Sequence, residues 1–188
     1  MNAGTRENPP NGRRQAGVVL MILVGLAACA WAPAREPIHT AQHVDLDRFM
    51  GDWYVIANIP TFIETGAHNA VETYRLDEDG TIATTFTFRK DGFDGEPKTY
   101  TPRGFVRDDG SNAVWGMRFV WPVKADYRIV WLDENYSQTV IGRNQRDYVW
   151  IMARDPTIPA ADYRAIVAFL GEQGYDTSKI HKVPQQWD

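Results

Sequence analysis

The run DRFMGDWYVIA at residues 47–57 is the strongest single indication of how this chain folds. Residues 53–58 are rich in β-branched and aromatic side chains and predict a first strand. Gly51 stands at the entry to this strand, where a residue without a Cβ lets the backbone turn tightly. Trp53 follows with a large, rigid indole. The run therefore predicts a strand that enters the fold beside a bulky apolar group.

Similar β-type runs, broken by turn signals, continue from this stretch to Ala153. Their spacing of about 8–12 residues is typical of an antiparallel barrel or sandwich. Residues 60–68 predict a longer irregular loop after the first strand. Seven further strands are predicted at residues 71–76, 81–89, 98–106, 113–119, 127–132, 137–142 and 148–153. The total of eight favours a barrel, because eight strands close around a space just wide enough for one small ligand.

Two local patterns complete the predicted fold. Residues 81–89 alternate Ile82, Thr84, Phe86 and Phe88 with smaller residues, which places the first set on one face of the strand. Residues 160–171 carry apolar side chains at helical spacing and predict an amphipathic helix. A last run, residues 179–183, is expected to pair with a strand edge. We predict an all-β fold, an eight-stranded antiparallel up-and-down barrel with one C-terminal α-helix packed on its wall.

The N-terminus has the pattern of an export signal. Arg13 and Arg14 precede an apolar run at residues 18–28 that is too short to span a bilayer as a helix. The run ends in Leu-Ala-Ala before Cys29, which is the single cysteine of the chain and resembles a lipidation site. The alternatives are an uncleaved anchor and an ordinary signal followed by a chance cysteine.

The predicted organisation is a signal peptide at residues 1–28, a lipidated tether at 29–43 and a barrel domain with its helix at 44–188. Removal of the signal leaves 160 of 188 residues, enough for one domain with a sizeable core. It also removes three of 20 basic and one of 24 acidic side chains, so the remainder has a net charge of −6. This charge argues against nucleic acid as a partner.

Three stretches resemble the conserved motifs of the lipocalin family. They are residues 47–57, 132–142 and 148–158, in the order and spacing of that family. The resemblance implies a barrel with one closed and one open end, in which the indole of Trp53 fills the closed end and the guanidinium of Arg154 lies over it. The residues that carry the motifs are expected to be structural: Gly51, Trp53, Asp133, Tyr136 and Arg154.

The lipidation signal, together with residues 145–148, 154–158 and 174–180, is similar to the bacterial outer-membrane lipoproteins of the same family. This resemblance implies a protein that binds, stores or transports fatty acids such as palmitate, or lysophospholipids, in the cell envelope. Ala30 after the lipidated Cys29 favours the outer membrane, with the barrel facing the periplasm. A homodimer is left open.

Aromatic and aliphatic residues in the strands and loops are candidates for contact with such a lipid. The expected ligand-binding residues are Phe62, Ile63, Phe86, Phe88, Trp115, Met117, Phe119, Trp121 and Lys124. For each apolar residue the alternative is ordinary barrel packing. Lys124 or Arg118 is expected to meet an anionic head group, the alternative being a solvated loop cation.

The sequence offers no nucleophile, base or metal cluster with supporting spacing. The four histidines form no pair of metal-ligand spacing, and neither a Gly-x-Ser-x-Gly elbow nor a phosphate-binding loop is present. We therefore expect no enzyme, no cofactor and no metal. Two alternatives stay open: a lipocalin-fold enzyme that acts on a bound lipid, and a structural envelope protein whose barrel is filled by its own side chains.

Overall fold

Antiparallel strands follow one another around a closed ring, most of them paired with the strands before and after them in the chain. The structure is a computed structural model, and it describes Met1 and residues 36–187. The predicted signal peptide and Cys29 therefore lie outside the described residues, apart from Met1. Residues from Pro37 onward form one unit.

The described residues contain ten strands and three helical segments. The strands are β1 Gly51–Ile59, β2 Ala67–Leu76, β3 Thr81–Lys90, β4 Pro97–Tyr100, β5 Arg103–Val106, β6 Val114–Val120, β7 Val123–Leu132, β8 Gln138–Gly142, β9 Val149–Ala153 and β10 His181–Lys182. The helical segments are α1 Leu46–Phe49, α2 Ala160–Glu172 and the 3-10 helix Thr177–Lys179.

Pairing of β1 with β9, from Tyr54 opposite Ala153 to Ile59 opposite Val149, closes the barrel. Both β4 and β5 pair with β3, so the two short strands form one interrupted wall element. The sequence predicts a single strand at residues 98–106; the structure divides it around Pro102, whose ring nitrogen has no hydrogen to donate to a ladder. The barrel thus has the eight wall elements that the strand count predicts.

Side-chain alternation separates the inside of the barrel from its outer face. On β3, Ile82, Thr84, Phe86 and Phe88 are buried, while the intervening residues are partly exposed. The alternation predicted for this strand is therefore confirmed.

A second apolar layer lies on the outside of the wall, where α2 packs. Ile166 and Leu170 are buried against a cluster that includes Ile56, Val140 and Ile151. This is the C-terminal helix predicted from the apolar spacing of residues 160–171.

The C-terminal segment seals a gap beside β1. β1 pairs with β2 only through residues 51–54, and β10 pairs with Ala57 and Asn58 farther along the same strand. The side-chain amide of Gln185 then donates to the carbonyls of Val55 and Ala70, which bridges β1 and β2. The expected pairing of the run at 179–183 is confirmed for two of its residues.

Packing on the barrel begins before the predicted domain start at residue 44. Ile38 is buried, and its N–H donates to Asn144 Oδ1 at 3.0 Å. The N–H of Ala41 donates to the carbonyl of Ile129 at 2.9 Å. Residues 38–43, assigned to the tether from sequence, therefore lie against the barrel.

The closed end is built around Arg154. Its Cζ lies 3.9 Å from the ring centroid of Trp53, the contact that the sequence predicts. Nη2 donates to the last carbonyls of α1, those of Arg48, Phe49 and Met50, at 2.8–3.1 Å. A cation at this end of a helix is favoured because the carbonyl end carries partial negative charge.

Gly51 makes the approach of Arg154 feasible. Its φ of +95° suits glycine, and a Cβ at this position would lie 3.3 Å from Arg154 Nη1. Nη1 donates to the carbonyl of Asp52 at 2.8 Å, and Nε donates to that of Tyr136 at 3.3 Å. One side chain thus joins α1, β1 and the β7–β8 turn.

Asp133 and Tyr136 organise this β7–β8 turn. The Asp133 carboxylate accepts hydrogen bonds from the backbone N–H groups of Ser137 and Gln138. The Tyr136 hydroxyl accepts from the N–H of Asp45 at 2.9 Å, and the Arg48 guanidinium lies 3.9 Å from the Tyr136 ring centroid. The turn is therefore fastened to the chain segment that enters α1.

Arg154→Ala is expected to lower the free energy of unfolding by about 2–4 kcal/mol, because several charge-assisted hydrogen bonds and the stacking on Trp53 are lost together. Urea denaturation followed by tryptophan fluorescence measures the change. Arg164→Ala, at an exposed position of α2, is the control and is expected to change stability by less than about 0.5 kcal/mol. Equal effects of the two variants would contradict the role given to Arg154.

Candidate ligand-binding cavity

The barrel encloses a cavity of about 520 Å³. It opens at the end away from Arg154, because β1 runs from Gly51 at the closed end to Ile59, and residues 61–64 of the following loop line the cavity. Its volume falls in the range of small-molecule sites, about 300–1,000 Å³. A cavity of this size is contrary to the alternative of an interior packed solid with its own side chains.

Most of the lining is apolar or aromatic. The apolar and aromatic lining residues are Phe62, Ile63, Phe86, Tyr100, Pro102, Met117, Phe119, Val120, Ala125, Tyr127, Tyr148 and Trp150. The polar ones are Thr61, Glu64, Glu72, Thr101, Asp126 and Arg143. This arrangement suits a ligand that is largely hydrocarbon.

An aromatic floor separates the cavity from the closed end. Phe49 of α1 lies 5.0 Å from Trp53, 5.5 Å from Tyr74 and 5.7 Å from Trp115, measured between ring centroids. All four side chains are almost completely buried. The sequence reveals Trp53 as a floor residue but not the other three, because their convergence depends on the barrel closing.

Five of the nine residues expected to bind ligand line the cavity: Phe62, Ile63, Phe86, Met117 and Phe119. The other four do not. Phe88 is buried between Phe86 and Tyr100, with ring centroids at 5.3 Å and 6.2 Å. Trp115 belongs to the floor, and Trp121 is 78% exposed beyond the end of β6.

Lys124, the fourth, lies against Phe105, with its Nζ 3.6 Å from the ring centroid. Arg118 contacts the same ring, with Cζ at 4.6 Å. Among the described lining residues, the cation is instead Arg143, which directly follows β8. Its Nη1 pairs with Asp147 at 3.2 Å, and its buried Nε has no hydrogen-bond partner within the described chain. No sequence pattern indicates Arg143 as a lining residue, because its position depends on where β8 ends.

Large exposed apolar side chains concentrate around the mouth. Phe62, Phe119 and Val120 line the cavity and are 88%, 54% and 72% exposed. Trp121 and Val123 continue the same apolar surface across the β6–β7 turn. An exposed patch of this kind at a cavity entrance is typical of a surface that meets an apolar partner or ligand.

Two buried acidic side chains, Glu64 and Glu72, line the cavity. Glu64 is 7% exposed and accepts hydrogen bonds from the Thr61 N–H at 3.2 Å, Trp150 Nε1 at 3.0 Å and Asn58 Nδ2 at 3.4 Å. Burial raises the pKa of Glu64 although these donors oppose the shift.

Glu72 is 8% exposed and lies on β2 opposite Trp53. Burial, with a smaller contribution from the charge of Glu64, raises the pKa of Glu72 to about 8, while the Tyr74 hydroxyl opposes the shift by hydrogen bonding. The hydroxyls of Tyr74 and Tyr127 are in close hydrogen-bond contact, and burial raises both phenol pKa values well above their usual range. Period-two alternation in β2, which buries Ala70, Glu72 and Tyr74 together, was an available signal for this polar layer.

The part of the chain that the structure describes contains no group of three or more His, Cys, Asp or Glu side chains placed to hold a metal ion. None of its helices has the length and apolar character needed to cross a bilayer.

The sequence of this chain is similar to a family model and to individual proteins of known family. Residues 44–185 match a family model described as a lipocalin-like domain. The chain is 30% identical to temperature-induced lipocalin-1 of Arabidopsis thaliana over 80% of its length and 84% of that protein. It is 26% identical to the outer membrane lipoprotein Blc of Citrobacter freundii, over 90% of this chain and 94% of that one.

Solved structures give the same fold. Insecticyanin from the tobacco hornworm Manduca sexta superposes with a TM-score of 0.63 at 13% identity, covering 82% of this chain and 87% of that one. The cockroach allergen Per a 4 superposes with a TM-score of 0.62 at 16% identity, covering 81% and 96%. At these identities the likeness concerns the architecture.

The buried carboxyls predict a pH-dependent stability. Glu72 keeps its proton in the folded state up to pH about 8, whereas an unfolded glutamate ionises near pH 4.5. The free energy of unfolding therefore falls as pH rises from 4.5 to 8. The raised pKa of Glu64 contributes in the same direction. Glu72→Gln is expected to remove much of this slope and to gain about 1–3 kcal/mol over the wild type between pH 5 and pH 8. Urea unfolding across this range measures it; coincident pH profiles would show that Glu72 is not protonated in the fold.

Proposed function

This chain belongs to the lipocalin family, and we propose that it is a lipid carrier of the bacterial envelope, anchored to the outer membrane through a lipidated Cys29 with its barrel in the periplasm. The ligand class is fatty acids or lysophospholipids. The observation that carries the proposal is the 520 Å³ cavity, apolar along its walls and open at one end. Each methylene of an acyl chain that leaves water for such walls contributes about 0.8 kcal/mol.

The charge at the mouth supports an orientation for the lipid. Arg143 is the basic residue among the described lining residues, and guanidinium groups bind carboxylate and phosphate well. We infer that an anionic head group stays near Arg143 while the acyl chain passes between Phe86 and Met117. Arg143 replaces Lys124 and Arg118 as the proposed head-group cation, because both of those contact Phe105 instead.

The anchor is supported by residues outside the described part of the chain and by the named relatives. The lipidation pattern ends at Cys29, and outer membrane lipoproteins from Citrobacter freundii and Escherichia coli are 26% and 25% identical over most of the chain. We propose residues 1–28 as the signal peptide. The homodimer left open from sequence stays a prediction.

We also propose that the protein is not an enzyme. Among the described lining residues there is no serine, cysteine or histidine to act as a nucleophile or as a base near neutral pH. Of the three lining carboxyls, Glu64, Glu72 and Asp126, two are engaged in structural contacts: Glu64 accepts from three donors, and Asp126 pairs with Arg128. These features support binding without turnover.

Filling the cavity is expected to weaken lipid binding without unfolding the barrel. Ala125 lines the cavity, and Ala125→Trp would occupy the space of the acyl chain. Lys124→Trp, at the adjacent exposed position, is the matched control. Native mass spectrometry of residues 30–188 with palmitate or a lysophospholipid should show one bound lipid for the wild type and the control, and about tenfold weaker binding for Ala125→Trp. Equal binding by both variants would place the ligand elsewhere.

Exchange of residues 1–29 for an export signal without a lipidation cysteine is expected to move the protein from the membrane fraction to the soluble periplasm. The fold and lipid affinity should be unchanged, because the described barrel contacts begin at Ile38. Cell fractionation measures the location, and the same domain behind a signal that keeps the cysteine is the control. A protein that stays with the membrane in both forms would contradict anchoring by Cys29.

A further inference from the structure

The cavity contains acidic side chains that the binding of a hydrocarbon chain does not require. Glu64 and Glu72 are both more than nine-tenths buried and both line the cavity. Glu72 stands directly above the aromatic floor, since it pairs with Trp53 across β1 and β2. A barrel that bound only acyl tails would gain nothing from two buried carboxyls in its cavity, because burial of an ionisable group has a free-energy cost.

The two carboxyls differ in the number of hydrogen-bond donors that the protein provides for each of them. Glu64 accepts from three donors, on Asn58, Thr61 and Trp150. For Glu72 the Tyr74 hydroxyl is the donor that opposes the rise of its pKa, and that hydroxyl is in hydrogen-bond contact with the hydroxyl of Tyr127. One phenol supplies one proton, while a carboxylate has about four acceptor sites, so Glu72 keeps acceptor capacity that faces the cavity.

Aromatic faces lie beside the acids. Tyr127 and Trp150 both line the cavity, and their rings are nearly parallel, with centroids 6.3 Å apart. Tyr148 is 6.5 Å from Trp150 on the same side of the cavity. Aromatic ring faces attract cations, and tyrosine and tryptophan faces together with an acidic group are the surroundings in which proteins bind ammonium groups.

The charged side chains that line the cavity disfavour an anionic group beside Glu72. The cation among the described lining residues, Arg143, is held near the mouth by Asp147. A carboxylate or phosphate pushed down to Glu72 would meet two acids and no basic side chain among those described.

We propose that the cavity takes a second class of ligand, an amphiphile with a cationic nitrogen, which enters nitrogen-first and is held between Glu72, Glu64 and the rings of Tyr127 and Trp150. Its alkyl chain lies along Phe86 and Met117 toward the mouth. This inference rests on the proposed function only in that the cavity is a ligand site, and it goes beyond fatty acids and lysophospholipids.

Binding of such a cation is coupled to the release of a proton from Glu72. Glu72 carries its proton below pH about 8, and the titratable groups that face it are Glu64 of the loop, Tyr74 of β2 and Tyr127 of β7. A permanent cation favours the ionised carboxylate and expels this proton. Its affinity should therefore rise with pH up to about 8 and then level off.

Three probes with the same C12 chain test the inference: dodecyltrimethylammonium, dodecanol and dodecanoate. Dodecyltrimethylammonium and dodecanoate are titrated into residues 30–188 below their micelle concentrations and dodecanol below its solubility, and binding is followed by calorimetry. At pH 8 the ammonium probe should bind about tenfold more tightly than dodecanoate. Glu72→Gln should weaken the ammonium probe about tenfold and leave dodecanol within about twofold. Glu78→Gln, at an exposed acid of the β2–β3 turn, should change neither.

Retained binding of dodecanol shows that Glu72→Gln has folded. A second measurement needs no variant: in buffers of different ionisation enthalpy, the wild type should release close to one proton per ammonium probe bound at pH 7. Dodecanoate binding as tight as the ammonium probe, an unaffected Glu72→Gln, or no proton release would each overturn the inference. Failure of all three probes to bind would overturn the proposed function itself.

Discussion

The guanidinium of Arg154 holds the closed end of this barrel together. It stacks on Trp53 at 3.9 Å and donates to carbonyls of α1, of β1 and of the β7–β8 turn, so segments far apart in sequence meet at one cation. An arginine suits this position because its rigid fork presents several donors in one plane while its face remains free to stack. Because one end is closed in this way, the other end can stay open without loss of the fold.

The type of side chain inside the barrel changes along the barrel axis, from the closed end to the open end. The floor is aromatic, with Phe49, Trp53, Tyr74 and Trp115 in contact. Above it lies a thin polar layer that contains Glu72, and then a cavity with apolar walls. The mouth carries exposed aromatic side chains such as Phe62. A carrier of amphiphiles needs an apolar path with polar positions at defined depths, and this order of layers provides it.

Sequence patterns predicted the architecture because each wall element carries its own local signal. Alternation in β3, the helical spacing of α2 and the spacing of the turns do not depend on distant contacts. The ligand residues are harder to predict. The alternation within one strand indicates whether a side chain faces the inside of the barrel, but its depth along the barrel axis depends on how distant strands pair. Trp115 and Phe88 face inward as expected, yet they lie in the floor and in the wall packing. Arg143, Glu64 and Tyr127 line one cavity only after the barrel closes, since they come from a strand end, a loop and a strand far apart in the chain.

The described part of the chain shows an interior that is hollow where an acyl chain would lie, and this is the physical basis for a carrier. Native mass spectrometry of the protein isolated from the cells that produce it, without added lipid, tests it most directly. One co-purified lipid per barrel, released on unfolding and identified by fragmentation, is the result expected of a carrier. A folded protein isolated with an empty interior in every preparation would contradict that function.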